Sequence, residues 1–143
     1  RYFAPKQARV IGFIGSGETG HTSAHLVNAL DDRYYELERI YRRKGAKHAA
    51  ESHTAAIDFI ENTVNTENID CDFERVPGYL FLHPSDDKEN LQKEFEAVRR
   101  TGIPAKMLHE IPGISLRQKS SCIKFPDQAI FHPSIRPGDF RSR

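Results

Sequence analysis

The residues of this chain that could do chemistry begin with a loop of small side chains, Gly15-Ser16-Gly17-Glu18-Thr19-Gly20. It lies between an apolar run (Val10, Ile11, Phe13, Ile14) and a helix-compatible stretch, His21 to Leu30. Gly15, Gly17 and Gly20 fit G-x-G-x-x-G, the spacing of a dinucleotide-binding turn. Glycines there allow positive φ and close backbone approach, and N–H groups at a helix start receive phosphate. A Rossmann unit, however, needs a second parallel strand ending in an acid roughly 20 residues further on. Asp31-Asp32-Arg33-Tyr34-Tyr35-Glu36 and charged helical sequence stand in that place, and no Gly-Lys-Ser/Thr follows for a P-loop. By spacing alone, the loop reads equally as a plain turn.

The remaining candidates are weaker. His21 and His25 are four apart and His48 and His53 five apart, but no H-E-x-x-H occurs and no third ligand is indicated, so no metal site is expected. His53 falls on an apolar stripe and reads as a core histidine. His132, in Phe-His-Pro, reads as a turn or packing residue. The basic run Arg39, Arg42, Arg43, Lys44 and Lys47 is interleaved or flanked by Glu36, Glu38 and Glu51 and lacks an aromatic platform. It reads as a solvated helix face, with no nucleic-acid partner. Tyr34 and Tyr41 share an apolar stripe and are expected in the core. Cys71 and Cys122 form no C-x-x-C; two lone thiols fit a reducing compartment, so a cytoplasmic location is expected, with a bridge between them left open. No residue pair qualifies as catalytic.

These residues must be positioned by a modest core. The chain has 143 residues, 38% apolar and 29% charged, with net charge +1, enough for one domain or part of one and without a global field favouring an acidic partner. No apolar run approaches the ~20 residues of a membrane span, and no signal peptide is visible. Residues 9–30 carry the glycine-rich loop and a helix. Residues 31–68 are helical, with Leu30, Tyr34, Leu37 and Tyr41 on one face and Ala46, Ala49/Ala50, His53, Ile57, Ile60 and Val64 continuing it. Gly45 lies at the seam, where a break or kink is expected. Asp31 or Asp32 is the expected cap. Residues 71–132 read as strand pairs with one helix. Cys71 to Val76 and Tyr79 to Leu82 flank Pro77-Gly78, and Ser121 to Phe125 and Ala129 to His132 flank Pro126-Asp127-Gln128. The helix between them is capped by Ser85 or Asp86, carries Leu91, Phe95 and Val98 as its stripe, and ends at Gly102. Residues 133–143 form a tail expected to be mobile. The fold class is α+β: helices packed on a small antiparallel sheet.

Four ordered words, GSGETGHTSAHLVNALDDRYYELE, AESHTAAIDFIE, IDCDFERVPGYLF and IKFPDQAIFHP, resemble the FAD-dependent oxidoreductases of the D-amino-acid-oxidase-like (glycine oxidase, sarcosine oxidase) superfamily. They are most similar to a bacterial-type subgroup, some members of which also carry a Rieske domain. The resemblance covers roughly Ile14 to Pro133. It implies a flavoprotein parent that oxidises a C–N bond of a small amine or amino acid, with Gly17, Glu18, Thr19, Gly20, Thr22 and Ser23 facing the FAD. His21 stands where the family usually has Arg or Lys. The family's first fingerprint, its ribose-binding acid and its returning C-terminal half are absent, so the chain reads as a single partial domain, an internal fragment inactive alone and unable to hold FAD. Ile14, Leu26 and Val27 would then border an uncovered apolar patch, which favours self-association. The competing reading is a non-enzymatic α+β interaction or nucleotide-binding module.

Overall fold

The longest element is a bent helix. The computed structural model describes residues 24–81, 87–110, 112 and 121–132. Within it, α1 spans Tyr34–Glu67 and is interrupted at Arg42, whose φ of 62° and ψ of 171° are not helical. The bend makes sense of Gly45: a Cβ there would fall on the Cβ of Tyr41, one turn back. In a regular helix the Cβ atoms of residues four apart stand ~5–6 Å away from each other. Asn68 closes α1 in the left-handed conformation, its N–H bonded to the Val64 carbonyl.

Beyond the bend the apolar series splits. Ala46, Ala50 and Ile57 are buried, whereas Tyr41 is 63% exposed and His53 is exposed. Both are corrections to the expected stripe. The bend turns Tyr41 away from the core that holds Tyr34, and Thr54 rather than its neighbour His53 faces inward.

The remaining elements are β1 (Glu74–Phe81), α2 (Lys88–Thr101), β2 (Lys106–Leu108) and β3 (Cys122–Ile130). The strands form one antiparallel sheet in the order β1-β3-β2. Two helices packed on a small antiparallel sheet make an α+β arrangement, the class read from the sequence. Tyr34, Ala46, Ala50, Leu91, Ala97, Val98, Ile103, Ile123 and Phe125 form the shared core. In α2 the Asp87 side chain caps the helix by accepting from the Glu89 N–H, one residue after Asp86 and two after Ser85, the caps expected. Gly102 ends α2 at φ 95°, where an L side chain would be strained.

Neither proline divides a strand. β1 runs through Pro77 and β3 through Pro126, where the sequence reads two pairs of shorter strands. The register explains why. Val76 pairs with Gln128 and Gly78 with Phe125, so Pro77 alone faces Pro126 and Asp127 across a bulge. On the other side of β3, β2 pairs only with residues 122–124, and Leu26 bridges to Ala129. Pro126 lies in the gap between them, so its missing N–H costs no ladder bond.

Residues 24–30 are not helical, a further correction. Leu26 exchanges two backbone hydrogen bonds with Ala129, of 2.8 and 3.0 Å. Asn28 N–H donates to Gln128 Oε1 at 2.9 Å, and Gln128 Nε2 donates to Asn28 Oδ1 at 2.6 Å. The Tyr34 hydroxyl donates to the Asn28 carbonyl at 2.5 Å, and Asn28 Nδ2 donates to Thr54 Oγ1 at 3.2 Å. Every polar atom of Asn28 thus has a partner, and these bonds displace the helical ladder that the local sequence permits. Leu26 and Val27 are half-buried, and Ile14 lies outside the described residues.

Gly78 makes room for this network. A Cβ at residue 78 would stand 2.8 Å from Gln128 Cγ. Gln128 is fully buried and held by two hydrogen bonds, so it cannot yield cheaply. Gly78→Ala should therefore lower the unfolding free energy by about 1–3 kcal/mol, the usual cost of overpacking. Urea denaturation followed by circular dichroism measures this, and an unchanged midpoint would show that Gln128 repacks freely.

Candidate functional site

The buried ionisable group nearest the helix junction is Glu94, which does not figure among the candidates that residue type and spacing suggest. Its position nevertheless marks it: Glu94 sits three residues after Leu91 and four before Val98, on the apolar stripe of α2. It is 2% exposed. From there it reaches the start of α1, where Glu94 Oε2 accepts from the Tyr35 N–H at 3.2 Å. The residue preceding the helix is Arg33, which makes no side-chain cap, so the carboxylate of α2 caps α1 from across the core. Asp31 and Asp32, the expected caps, form the turn before it instead.

Glu94 Oε1 is buried with no hydrogen-bond partner among the described residues. Burial pushes the Glu94 carboxyl above the usual carboxylate range. The backbone N–H groups of Tyr34 and Tyr35 and the charge of Arg33 work against that rise, and Glu38 adds to it. The Tyr34 hydroxyl is raised far beyond the ordinary phenol range, by burial first and by Glu94 second, so it remains a protonated donor to Asn28.

The two cysteines are the chain's only thiols, and both are free and buried. Cys122 begins β3 opposite Phe81 and Leu108, while the Cys71 carbonyl accepts from the His132 N–H just beyond the other end of that strand. Ten residues of largely extended chain separate these points, on the order of 30 Å. Burial raises both thiols above the ordinary cysteine value. For Cys71, Asp70 and Asp72 add to the rise and the Phe73 N–H opposes it. Neither thiol is therefore activated as a nucleophile. Among the described residues no group of three or more His, Cys, Asp or Glu side chains could hold a metal ion.

Arg75 supplies the main polar tie between sheet and helix. Its guanidinium donates to Glu61 Oε2 at 2.6 and 3.1 Å and to Asp58 Oδ1 at 2.6 Å. Gly17, Glu18, Thr19, Gly20, Thr22 and Ser23, expected to face a cofactor, lie outside the described residues, as does His21. His25, His48 and His53 are exposed and join no ligand set.

No protein-family model and no solved structure matches this chain. A curated protein of Bacillus subtilis strain 168 does: YhfW, named provisionally as a Rieske 2Fe-2S iron-sulfur protein, is 30% identical over 118 residues. The match takes in 82% of this chain and 23% of the relative, so the chain spans about a quarter of that protein's length. The finding corrects the resemblance drawn from the four sequence words. The matched protein is named for an iron–sulfur cluster, not for a flavin, and the expectations of an FAD-dependent oxidoreductase, of FAD as cofactor and of C–N bond oxidation are set aside with it. Function resides in the site rather than in the scaffold, and the residues expected to face FAD lie outside the described residues.

The residues present do not fit a Rieske centre either. Such a centre places two cysteines on one iron and two histidines on the other. The chain's two cysteines stand at opposite ends of β3 and cannot share an iron.

Glu94 gives this junction a pH signature. Its folded pKa is raised, so the native state binds the proton more tightly than the unfolded chain. Its stabilising contribution is then full below the ordinary glutamate pKa of about 4.3 and is lost as pH rises through the folded value. Relative to Glu94→Gln, the wild type should lose stability as pH rises above the ordinary glutamate value of about 4.3. Urea midpoints of the two proteins across that range decide the matter; parallel curves would rule out a buried, titrating Glu94.

Proposed function

We propose that this chain is an α+β module of a Rieske-type iron–sulfur electron-transfer protein, supplying framework and surface while residues outside it hold the cluster. The observation that carries the reading is the 30% identity to the Bacillus subtilis relative, sustained over 118 residues. A Rieske centre supplies one-electron transfer. The wide separation of Cys71 and Cys122 supports a division of labour in which neither thiol is a ligand.

No helix among the described residues is long and apolar enough to cross a membrane. Two buried, unbridged cysteines suit a reducing compartment, and we assign the chain to the cytoplasm on that ground.

Metal analysis tests the proposal. Anaerobic incubation of this chain with ferrous iron and sulfide should leave it colourless and, after reduction, silent in electron paramagnetic resonance. The protein isolated from its own cells should contain equimolar iron and acid-labile sulfide. Cys71→Ser and Cys122→Ser should leave that content unchanged. Native protein free of iron, or absence of the cluster from either serine variant, would refute the reading.

A further inference from the structure

A shallow, open cleft of about 570 Å³ lies beside the bend in α1, lined by Tyr35, Glu38, Arg39, Arg42, Arg43 and Lys44. That volume lies within the range of small-molecule sites. Four cations face one carboxylate in it, on a chain whose net charge is only +1, so the positive field is local. The carboxylate is already engaged. Glu38 Oε1 accepts from Arg100 Nε at 2.9 Å and Oε2 from Nη2 at 2.6 Å, which commits both oxygens to a cation outside the cleft. Arg39 pairs with Glu36 in an exposed salt bridge, the kind that contributes little and exchanges readily. Among the described residues, Arg42, Arg43 and Lys44 pair with no carboxylate at all.

Arg42 is a telling choice at the bend. Its φ of 62° and ψ of 171° belong to a region that glycine occupies readily and other residues do not. Gly45 stands three residues away, so a glycine at position 42 would have made the same turn without strain. A charged side chain held there at a conformational cost points to a use for the charge.

We propose that this cleft binds a small molecule carrying two or more phosphate groups. Guanidinium forks grip phosphate oxygens in pairs, and the lysine adds a mobile point charge. A single phosphate carries up to about two negative charges, too few for three unpaired cations. The six lining residues fall within residues 35–44 of one bent helix, a short open patch that fits a small polyanion better than the extended face of an acidic protein. The site is independent of the iron–sulfur reading and stands or falls separately from it.

The test uses the full chain, with inorganic pyrophosphate as the probe and poly-glutamate as the acidic-protein surrogate, at about 0.15 M salt, where long-range attraction is screened. Pyrophosphate should bind saturably, with amide shifts concentrated in residues 35–44. Arg42→Gly and Arg43→Gln should each weaken it about tenfold, the effect of removing one charge-assisted hydrogen bond. Lys93→Gln, on α2, should not. Arg42→Gly should at the same time raise the melting temperature, because it relieves the backbone while removing the charge; a merely structural arginine would not separate the two. Non-saturating binding, affinity unchanged in Arg42→Gly and Arg43→Gln, or tighter binding of poly-glutamate than of pyrophosphate would overturn the assignment.

Discussion

The amide pair between Asn28 and Gln128 is the constraint on which the rest of the structure depends. The two residues lie 100 positions apart, are almost wholly buried, and exchange hydrogen bonds of 2.9 and 2.6 Å. Through Asn28 the same pair engages the Tyr34 hydroxyl and Thr54, so one residue joins the segment before α1, β3 and both arms of the bent helix. A buried amide left without partners costs roughly 1–3 kcal/mol for each unsatisfied group. The four groups therefore hold or fail together, and they fix a single arrangement of helix on sheet where apolar packing alone would tolerate several.

Around that clamp the sheet is shaped by what it must avoid. Gly78 is small because Gln128 needs the space, and the bulge sets Pro77 against Pro126 and Asp127 where neither proline is asked for a ladder hydrogen bond. The short β2 and the Leu26 bridge cover the two ends of β3 and leave its proline uncovered. Glu94 performs a related service for α1: the helix begins at a residue with no side-chain cap, and a carboxylate from α2 supplies the acceptor at the cost of burying an ionisable group.

The same geometry bears on function by separating the thiols. Cys71 and Cys122 read along the sequence as two unassigned thiols, yet β3 holds them at opposite ends of the sheet. A chain that is 30% identical to a protein named for an iron–sulfur cluster thus has no two cysteines that could act together on one iron. Framework and redox group are separable parts in the proposed function.

Several features were determined by the sequence alone because they rest on local physics. The α+β class, the stripe of Leu91 and Val98 and the stop at Gly102 follow from periodicity and from the backbone freedom of glycine, and the seam in the apolar series marks the bend, although Arg42 rather than Gly45 makes the turn. Tertiary structure decided the rest, wherever a distant partner overrode a local preference. Residues 24–30 have helix-compatible sequence, but Asn28 gains more from Gln128 and Tyr34 than from a helical ladder. Pro77 and Pro126 look like strand ends and are not, because they meet each other across a bulge. Glu94, an ordinary charge by residue type, is a buried cap, and His53 yields the inward position to Thr54 once the bend has reset the helix face. Each of these depends on an interaction between residues far apart in the chain, which periodicity and propensity cannot register.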